Sequence, residues 1–174
     1  MNIWIGLSNQ TYIGNNYMKQ KYIDLYMDWA HRTAQLTHAR RLQVGAVIVK
    51  DDSVISYGYN GMPAGWDNNC EYEVEEFQTE YGVGQKLVKT GELKTRPEVL
   101  HAERNALDKL AKRGGVGGTG ASMFVTHAPC LECAKSIYGA GITQVFYANN
   151  YRDDAGVQFL KKCNVEVICL TSSI

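Results

Sequence analysis

Apolar residues recur at steps of three and four between residue 17 and about residue 37, in a stripe that runs from Tyr22 to Ala34. This spacing predicts an amphipathic helix that packs on a core. Two runs rich in β-branched residues follow at 44–49 and 53–59, separated by Lys50-Asp51-Asp52. They predict a β-hairpin.

From residue 99 onward the pattern alternates between helical and strand periods. It predicts, in order, a helix at 99–113, a strand at 121–126, a helix at 129–140 opened by Pro129, a strand at 144–148, a helix at 154–163 and a strand at 165–170. With the hairpin, this order indicates an α/β fold. We expect a three-layer α/β/α sandwich around a mixed, roughly five-stranded sheet.

The remaining segments connect or extend this unit. Residues 1–16 are polar in their second half and predict an N-terminal arm. Residues 60–65 are rich in glycine and proline and predict a loop. Residues 66–98, acidic at first and then basic, are interpreted as an insertion with one short helix and a solvated charged face. The whole chain, 1–174, is expected to form a single domain.

Composition narrows the classes of protein that need consideration. The 174 residues include 18 Lys plus Arg and 18 Asp plus Glu, so the chain has no surplus of cations for binding a phosphate backbone. No apolar run reaches the ~18 residues of a membrane span, and the N-terminus lacks the features of a signal peptide. We therefore expect a cytoplasmic protein without nucleic-acid or membrane partners. The five cysteines are an odd number, which favours metal binding or catalysis over a disulfide framework.

A glycine-rich segment matches a nucleotide-binding pattern by its letters alone. Residues 115–120 read G-V-G-G-T-G. A dinucleotide site needs this loop after a strand and before a helix, whereas here it is predicted to follow a helix and precede a strand. We interpret it as a connector.

Two short motifs carry the chemistry, each at a predicted helix start. One is His101-Ala102-Glu103 and the other is Pro129-Cys130-Leu131-Glu132-Cys133. Two thiolates three residues apart and one imidazole form a ligand set that suits zinc, and a helix start favours thiolate. Three protein ligands leave a fourth position for water, as in catalytic zinc sites.

Glu103 has a different predicted role. It lies two residues from His101, about 200° around an ideal helix, so both side chains reach one site only from the first helical turn. We interpret Glu103 as the acid and base beside the zinc-activated water rather than as a ligand.

A structural zinc site is the alternative, and it requires a fourth protein ligand. Cys70 is the one plausible candidate, because Cys163 and Cys169 fall at a helix end and in a strand and are expected to be buried.

The order H-x-E followed by P-C-x-x-C is that of the zinc nucleobase deaminases. From about residue 20 to 170 the chain resembles the zinc-dependent cytidine/deoxycytidylate deaminase superfamily, and within it the deoxycytidylate (dCMP) deaminases. The resemblance also includes Gln43-Val44-Gly45-Ala46 and the loop Gly58-Tyr59-Asn60-Gly61 with Pro63 and Gly65.

The resemblance implies hydrolysis of dCMP to dUMP and ammonia, which feeds dTMP synthesis. It implies one catalytic Zn²⁺ on His101, Cys130 and Cys133, with Glu103 moving protons. It places Asn60, Ala102 and Tyr151 at the substrate. It also implies a hexamer regulated by dCTP or dTTP, with Mg²⁺ accompanying the triphosphate. For this effector site the expected residues are Arg40, Arg41, Gly58, Tyr59, Asn60 and Gly61.

Some viral members of the family carry a second zinc near the insertion. Here Cys70 has no evident His or Cys residues near it in the sequence that could complete such a site. His127 is expected to be an ordinary hydrogen-bonded histidine near the pocket.

Two other functions stay open at this point. A deaminase of tRNA or single-stranded DNA shares the zinc motif but needs a basic groove and stacking aromatics. Deaminases of free cytidine or of a riboflavin intermediate also share the motif. A zinc-stabilised interaction module without turnover is the alternative from another class.

Overall fold

The computed structural model describes residues 18–81, 84–114 and 117–170. The predicted arm at 1–16 lies outside them. In chain order the elements are α1 Gln20–Ala34, β1 Gly45–Lys50, β2 Ser53–Tyr59, β3 Glu71–Glu80, β4 Gly84–Thr95, α2 Ala102–Arg113, β5 Ser122–His127, α3 Leu131–Gly139, β6 Gln144–Asn149, α4 Ala155–Lys162 and β7 Glu166–Cys169.

The central sheet has five strands in the order β2-β1-β5-β6-β7. β1 pairs antiparallel with both β2 and β5, whereas β5–β6 and β6–β7 are parallel. Each parallel pair is joined through a helix, α3 or α4, because a parallel connection must return to the starting edge of the sheet. The mixed sheet expected from the sequence is confirmed.

The two faces of the sheet bury two separate apolar clusters. Ile23, Tyr26 and Ala30 of α1 pack on Val47 and Phe124 of one face. The other face carries α2, α3 and α4, whose buried residues pack on the intervening strand positions, since successive side chains of a strand alternate between faces. The three-layer α/β/α architecture is therefore confirmed.

The insertion differs from its prediction. Instead of one short helix, β3 and β4 form an antiparallel hairpin, with a register irregularity between Glu73 and Glu75. The acidic strand faces the basic one, so that Glu75 lies opposite Lys89. The hairpin depends on pairing between two segments, neither of which has a clear strand pattern of its own. Opposite charges across the two strands stabilise this pairing. The acidic run therefore belongs to a strand instead of a helix, and Glu75 and Glu76 are exposed on it, as expected for a solvated charged face.

Two helices begin later than predicted. Leu100 exchanges both backbone hydrogen bonds with Gly61 and His101 is extended, so α2 begins at Ala102 rather than at residue 99. α3 begins at Leu131 with Cys130 as its extended N-cap residue, so Pro129 precedes the helix instead of opening it.

No helix within the described ranges is long and apolar enough to span a bilayer. The described part of the glycine-rich segment, 117–120, contains no helix or strand and precedes β5, as expected for a connector.

Two glycines set how closely the helices approach the site. A Cβ at Gly58 in β2 would lie 2.3 Å from the Ala102 carbonyl oxygen at the start of α2. A Cβ at Gly156 in α4 would lie 2.0 Å from the Pro129 carbonyl oxygen, next to Cys130. Contacts this short leave no room for a methyl group, so these glycines permit the helix positions on which the site depends.

We expect Gly58→Ala to lower the free energy of unfolding by about 1–3 kcal/mol, because the added methyl group forces α2 away from β2. Chemical denaturation measures this change. Gly139→Ala is the matched control, since nothing lies within 4 Å of a Cβ there. Equal stability of Gly58→Ala and the unsubstituted chain would contradict the packing argument.

Candidate metal centre and active site

His101, Cys130 and Cys133 converge in a single cluster. Their ligand atoms all lie within 4.8 Å of one another. Nδ1 of His101 is 3.5 Å from Sγ of Cys130 and 3.3 Å from Sγ of Cys133. In a tetrahedral zinc site with ordinary bond lengths, a nitrogen and a sulfur ligand are about 3.6 Å apart. The residues present therefore fit a zinc ion, and among the described residues no other group of this kind is found.

The two helices place these ligands through their first residues. His101 is the N-cap of α2 and Cys130 is the N-cap of α3, and neither side chain makes a capping hydrogen bond. The usual N-cap residues would bond to the free N–H groups of the first turn. Here the cap side chains face the cluster instead, and Cys133 joins them from the first turn of α3.

The electrostatics of the cluster favour a thiolate at Cys130. Hydrogen bonds from Cys133 and His101 lower the Cys130 pKa to about 3. The hydrogen bond with Cys130, together with burial, raises the pKa of Cys133. The hydrogen bond to Cys130 also raises the pKa of His101. The three groups thus share protons, which a divalent cation displaces on binding because its ligands must be deprotonated.

Glu103 lies in the first turn of α2, where the sequence argument requires it. Its side chain is only 4% exposed, and it lines the same cavity as His101 and Cys130. Burial raises the pKa of the Glu103 carboxyl group. A carboxyl group with a raised pKa is suited both to accept and to return a proton near neutral pH.

The cavity beside the cluster has a volume of about 430 Å³. Its lining includes the buried Ala102 and Ala128, whereas Arg41 and Arg152 are exposed and mark its mouth. Such a volume is within the range of small-molecule sites. The cavity is therefore large enough for a nucleotide-sized ligand with its reactive end at the cluster.

The structure brings all three expected substrate residues, Asn60, Ala102 and Tyr151, to this cavity. The Asn60 amide is already engaged on both sides: Oδ1 accepts the Val44 N–H at 2.9 Å, and Nδ2 donates to the Leu42 carbonyl at 2.8 Å. Asn60 thus holds the 42–44 segment and keeps one lone pair and one N–H for a ligand.

The residues expected at an effector site have different surroundings in the fold. Arg41 lines the cavity together with Asn60. Gly58 is buried under α2, and the ring of Tyr59 lies 5.1 Å from the Lys109 ammonium group. Gly61 pairs through its backbone with Leu100, and Arg40 is exposed beside Glu71. The close packing of α2 on β2 is sufficient to explain why residue 58 is a glycine.

The other cysteines lie apart from the cluster. Cys70 is buried with Ala39, Val99 and Met62, none of which offers a usual zinc ligand. Cys163 packs partly against the core. Cys169 was expected to be buried and is exposed, because β7 is an edge strand. Nothing in the described residues supplies the fourth ligand of a structural site.

The sequence reasoning assigned no ligand-binding role to three cavity residues, Glu71, Thr95 and Arg152. Glu71 and Thr95 belong to the hairpin, whose pairing was not anticipated. Arg152 directly follows Tyr151, and that adjacency was the available signal. His127 lines the cavity and its Nδ1 is 3.1 Å from the Thr126 hydroxyl oxygen, as expected for a hydrogen-bonded histidine.

Comparison with known proteins agrees with this geometry. Residues 20–149 match the family described as the cytidine and deoxycytidylate deaminase zinc-binding region. Human deoxycytidylate deaminase is 34% identical over 170 residues, covering 83% of this chain and 87% of the human protein. ComE operon protein 2 of Bacillus subtilis is 38% identical over 73% of this chain, and the match spans only 59% of that protein's length.

A solved structure is also similar, that of the dCMP deaminase of cyanophage S-TIM5 in complex with dCMP and dUMP. It has a TM-score of 0.74 and 36% identity, and the match covers 88% of this chain and 99% of the cyanophage chain. The family match extends over most of the chain and includes every residue of the cluster. The protein therefore belongs to the cytidine and deoxycytidylate deaminase family.

Proposed function

We propose that this protein hydrolyses dCMP to dUMP and ammonia with one zinc ion. The observation that carries this proposal is the convergence of three ligand side chains with the buried Glu103 carboxyl group at the end of a nucleotide-sized cavity. Human and cyanophage dCMP deaminases among its relatives support the choice of substrate.

His101, Cys130 and Cys133 would hold the zinc, which when bound supplies a Lewis acid that lowers the pKa of water toward neutrality. Glu103 takes a proton from the attacking water and delivers it to N3 of the cytosine ring, which makes C4 more electrophilic. The remaining hydroxide adds to C4, and Glu103 then carries the proton of this new hydroxyl group to the amino group, which leaves as ammonia as the C4–N bond breaks and the C4 carbonyl group forms. One carboxyl group suffices because it alternates between base and acid.

Two arginines at the mouth of the cavity favour a nucleotide over a free nucleoside as the substrate. Neither Arg41 nor Arg152 is ion-paired with a carboxylate in the described parts of the chain. Arg41 donates through Nη1 to the Thr95 hydroxyl, which orients its guanidinium group, and Arg152 lies over the Tyr151 ring. Guanidinium groups bind phosphate well. We assign the 5′-phosphate of the substrate to this end of the cavity.

The two rival functions fit the geometry less well. An interaction module with a closed zinc site needs a fourth protein ligand, and the cluster opens on a cavity instead. A nucleic-acid deaminase needs an extended basic surface, whereas the chain has equal numbers of acidic and basic residues.

The proposal extends to regulation and assembly. We infer a single-domain, cytoplasmic enzyme that forms a homo-oligomer, a hexamer by family resemblance. We also infer regulation by dCTP or dTTP with Mg²⁺, with the exposed Arg40 and the rim of the Tyr59–Gly61 loop as the regulatory site. Its product dUMP would feed dTMP synthesis.

The proposed reaction is tested by ammonia release from dCMP, cytidine, the riboflavin intermediate and tRNA, measured side by side. We expect dCMP to be the preferred substrate. Preference for tRNA, with a salt-sensitive gel shift, would favour the nucleic-acid deaminase, and no turnover by zinc-loaded protein would favour the interaction module.

Glu103→Ala should retain zinc and lose dCMP deamination by about 10²- to 10⁴-fold or more, because no other group replaces the proton carrier. Metal analysis and ammonia release on one sample measure both properties. Glu132→Ala is the control, since Glu132 is exposed on α3 and pairs with Lys135. Near-normal turnover by zinc-replete Glu103→Ala would contradict the assigned role.

Cys130→Ser should reduce bound zinc well below one ion per chain, because a hydroxyl group is a poor zinc ligand. Elemental analysis after dialysis measures the content. The matched substitution Cys169→Ser, on the exposed edge strand, should leave it unchanged. Full zinc occupancy in Cys130→Ser would remove Cys130 from the ligand set.

Regulation is tested by the initial rate at subsaturating dCMP with and without dCTP and dTTP in the presence of Mg²⁺. We expect at least one triphosphate to change the rate and Tyr59→Ala to weaken that response. Light scattering measures the oligomeric state, which we expect to be a hexamer. A rate indifferent to both triphosphates would refute the regulatory site.

A further inference from the structure

An apolar groove lies between α1 and the edge strand β2, apart from the active-site cavity. Its volume is about 350 Å³. Val47 of β1 and Val54 of β2 line it, together with Trp29 of α1, Leu36 just beyond that helix and Tyr57 of β2. The proposed reaction uses none of these residues.

The walls of the groove expose large apolar side chains. Trp29 is 48% exposed, Leu36 52% and Tyr57 41%, and all three line the same groove. Contiguous apolar surface of this kind marks an interaction site, whereas single exposed apolar residues are ordinary. Among the described residues, Arg32 is the one charged group in the lining, and it donates a hydrogen bond to Gln35. The groove therefore favours an uncharged, apolar occupant.

The chain contains a segment of this character shortly before α1. Residues 1–7 read M-N-I-W-I-G-L and include no charged side chain. Ile3, Ile5 and Leu7 alternate along the segment, so an extended chain places their side chains on one side. Burying such side chains is favourable. The residues that follow, 8–17, are mostly polar and connect this segment to the helix.

The connection is long enough to bring the segment to the groove. Residues 8–17 span up to about 33 Å when extended. The start of α1 at Gln20 is about 24 Å from Leu36 at the helical rise of 1.5 Å per residue. Met18 packs against the apolar cluster that includes Val47, which also lines the groove. The chain therefore enters α1 on the side of the sheet where the groove lies.

We propose that residues 1–7 dock in the groove between α1 and β2 of the same chain, with Ile3 and Ile5 against Trp29 and Leu36. A tethered segment has a higher effective concentration at the groove than a separate molecule has, which favours it over a second copy or another protein. Docking there also covers the free edge of the sheet at β2, which could otherwise pair with another chain.

Photo-cross-linking of the full chain tests this placement. The substitution Ile5→p-benzoylphenylalanine introduces a photoreactive side chain into the docking segment, and irradiation joins it to the residues that it contacts. We expect cross-links to the peptides that contain residues 29–36 or 54–57, in a product of single-chain mass on denaturing electrophoresis. Mass spectrometry of the digested product identifies these peptides.

A charge placed in the groove gives the matched comparison. Leu36→Glu, combined with the photoreactive residue, should lower the yield of cross-links to the groove by about 10-fold or more, because an unpaired carboxylate is costly to bury. Leu87→Glu is the control, since Leu87 is 48% exposed on β4 and does not line the groove. Its yield should equal that of the chain with neither glutamate.

The inference is overturned if the cross-links from residue 5 fall outside the groove or if none form. It is also overturned if they reach the groove only in a product of twice the chain mass, since the occupant is then a second copy. Equal yields from Leu36→Glu and Leu87→Glu would likewise contradict it. The deamination of dCMP is tested separately, so none of these results decides the proposed function.

Discussion

Two helices that begin at one edge of the sheet hold three metal-ligating atoms within 4.8 Å of one another, and the remainder of the site is arranged around this cluster. Because His101 and Cys130 are N-cap residues, each leaves its helix pointing beyond the first turn. The partial positive charge at a helix start stabilises thiolate there. The same placement puts Glu103 into the first turn, buried against the cluster rather than on the opposite face of the helix.

The packing that supports the cluster is close and specific. Gly58 lets the start of α2 lie directly on β2, and Gly156 lets α4 lie against the turn that carries Cys130. In the sheet, Thr126 Oγ1 accepts the Gly45 N–H, which ties the end of β5 to the start of β1. These contacts fix the two helix starts relative to each other, and a metal site tolerates little variation in ligand position.

At the mouth of the cavity, side-chain hydrogen bonds to backbone groups hold the residues in place, whereas close packing does so at the helix starts. Loop and hairpin residues there are connected by hydrogen bonds to backbone groups, with Asn60 holding the 42–44 segment and Glu71 holding Arg40 and Arg41. The metal-ligating end of the cavity depends on helix starts, whereas Glu71 and Thr95 of the inserted hairpin line another part of it. The hairpin and the metal ligands therefore belong to separate parts of the fold.

The sequence by itself determined which side chains could hold a metal, because His101, Cys130 and Cys133 occur in two motifs of short, fixed spacing and the structure brings them together. It also determined the layered fold, since segments with the apolar spacing of a helix alternate with segments that have the apolar pattern of a strand from residue 99 onward. The structure of the insertion was decided by tertiary pairing: a run of glutamates became a strand only through the basic strand opposite. The position of Glu71 in the lining of the cavity also depends on the hairpin, and the local sequence around Glu71 does not predict it. The exact starts of α2 and α3 followed from the Leu100–Gly61 pairing and from the extended Cys130, which local propensity does not encode.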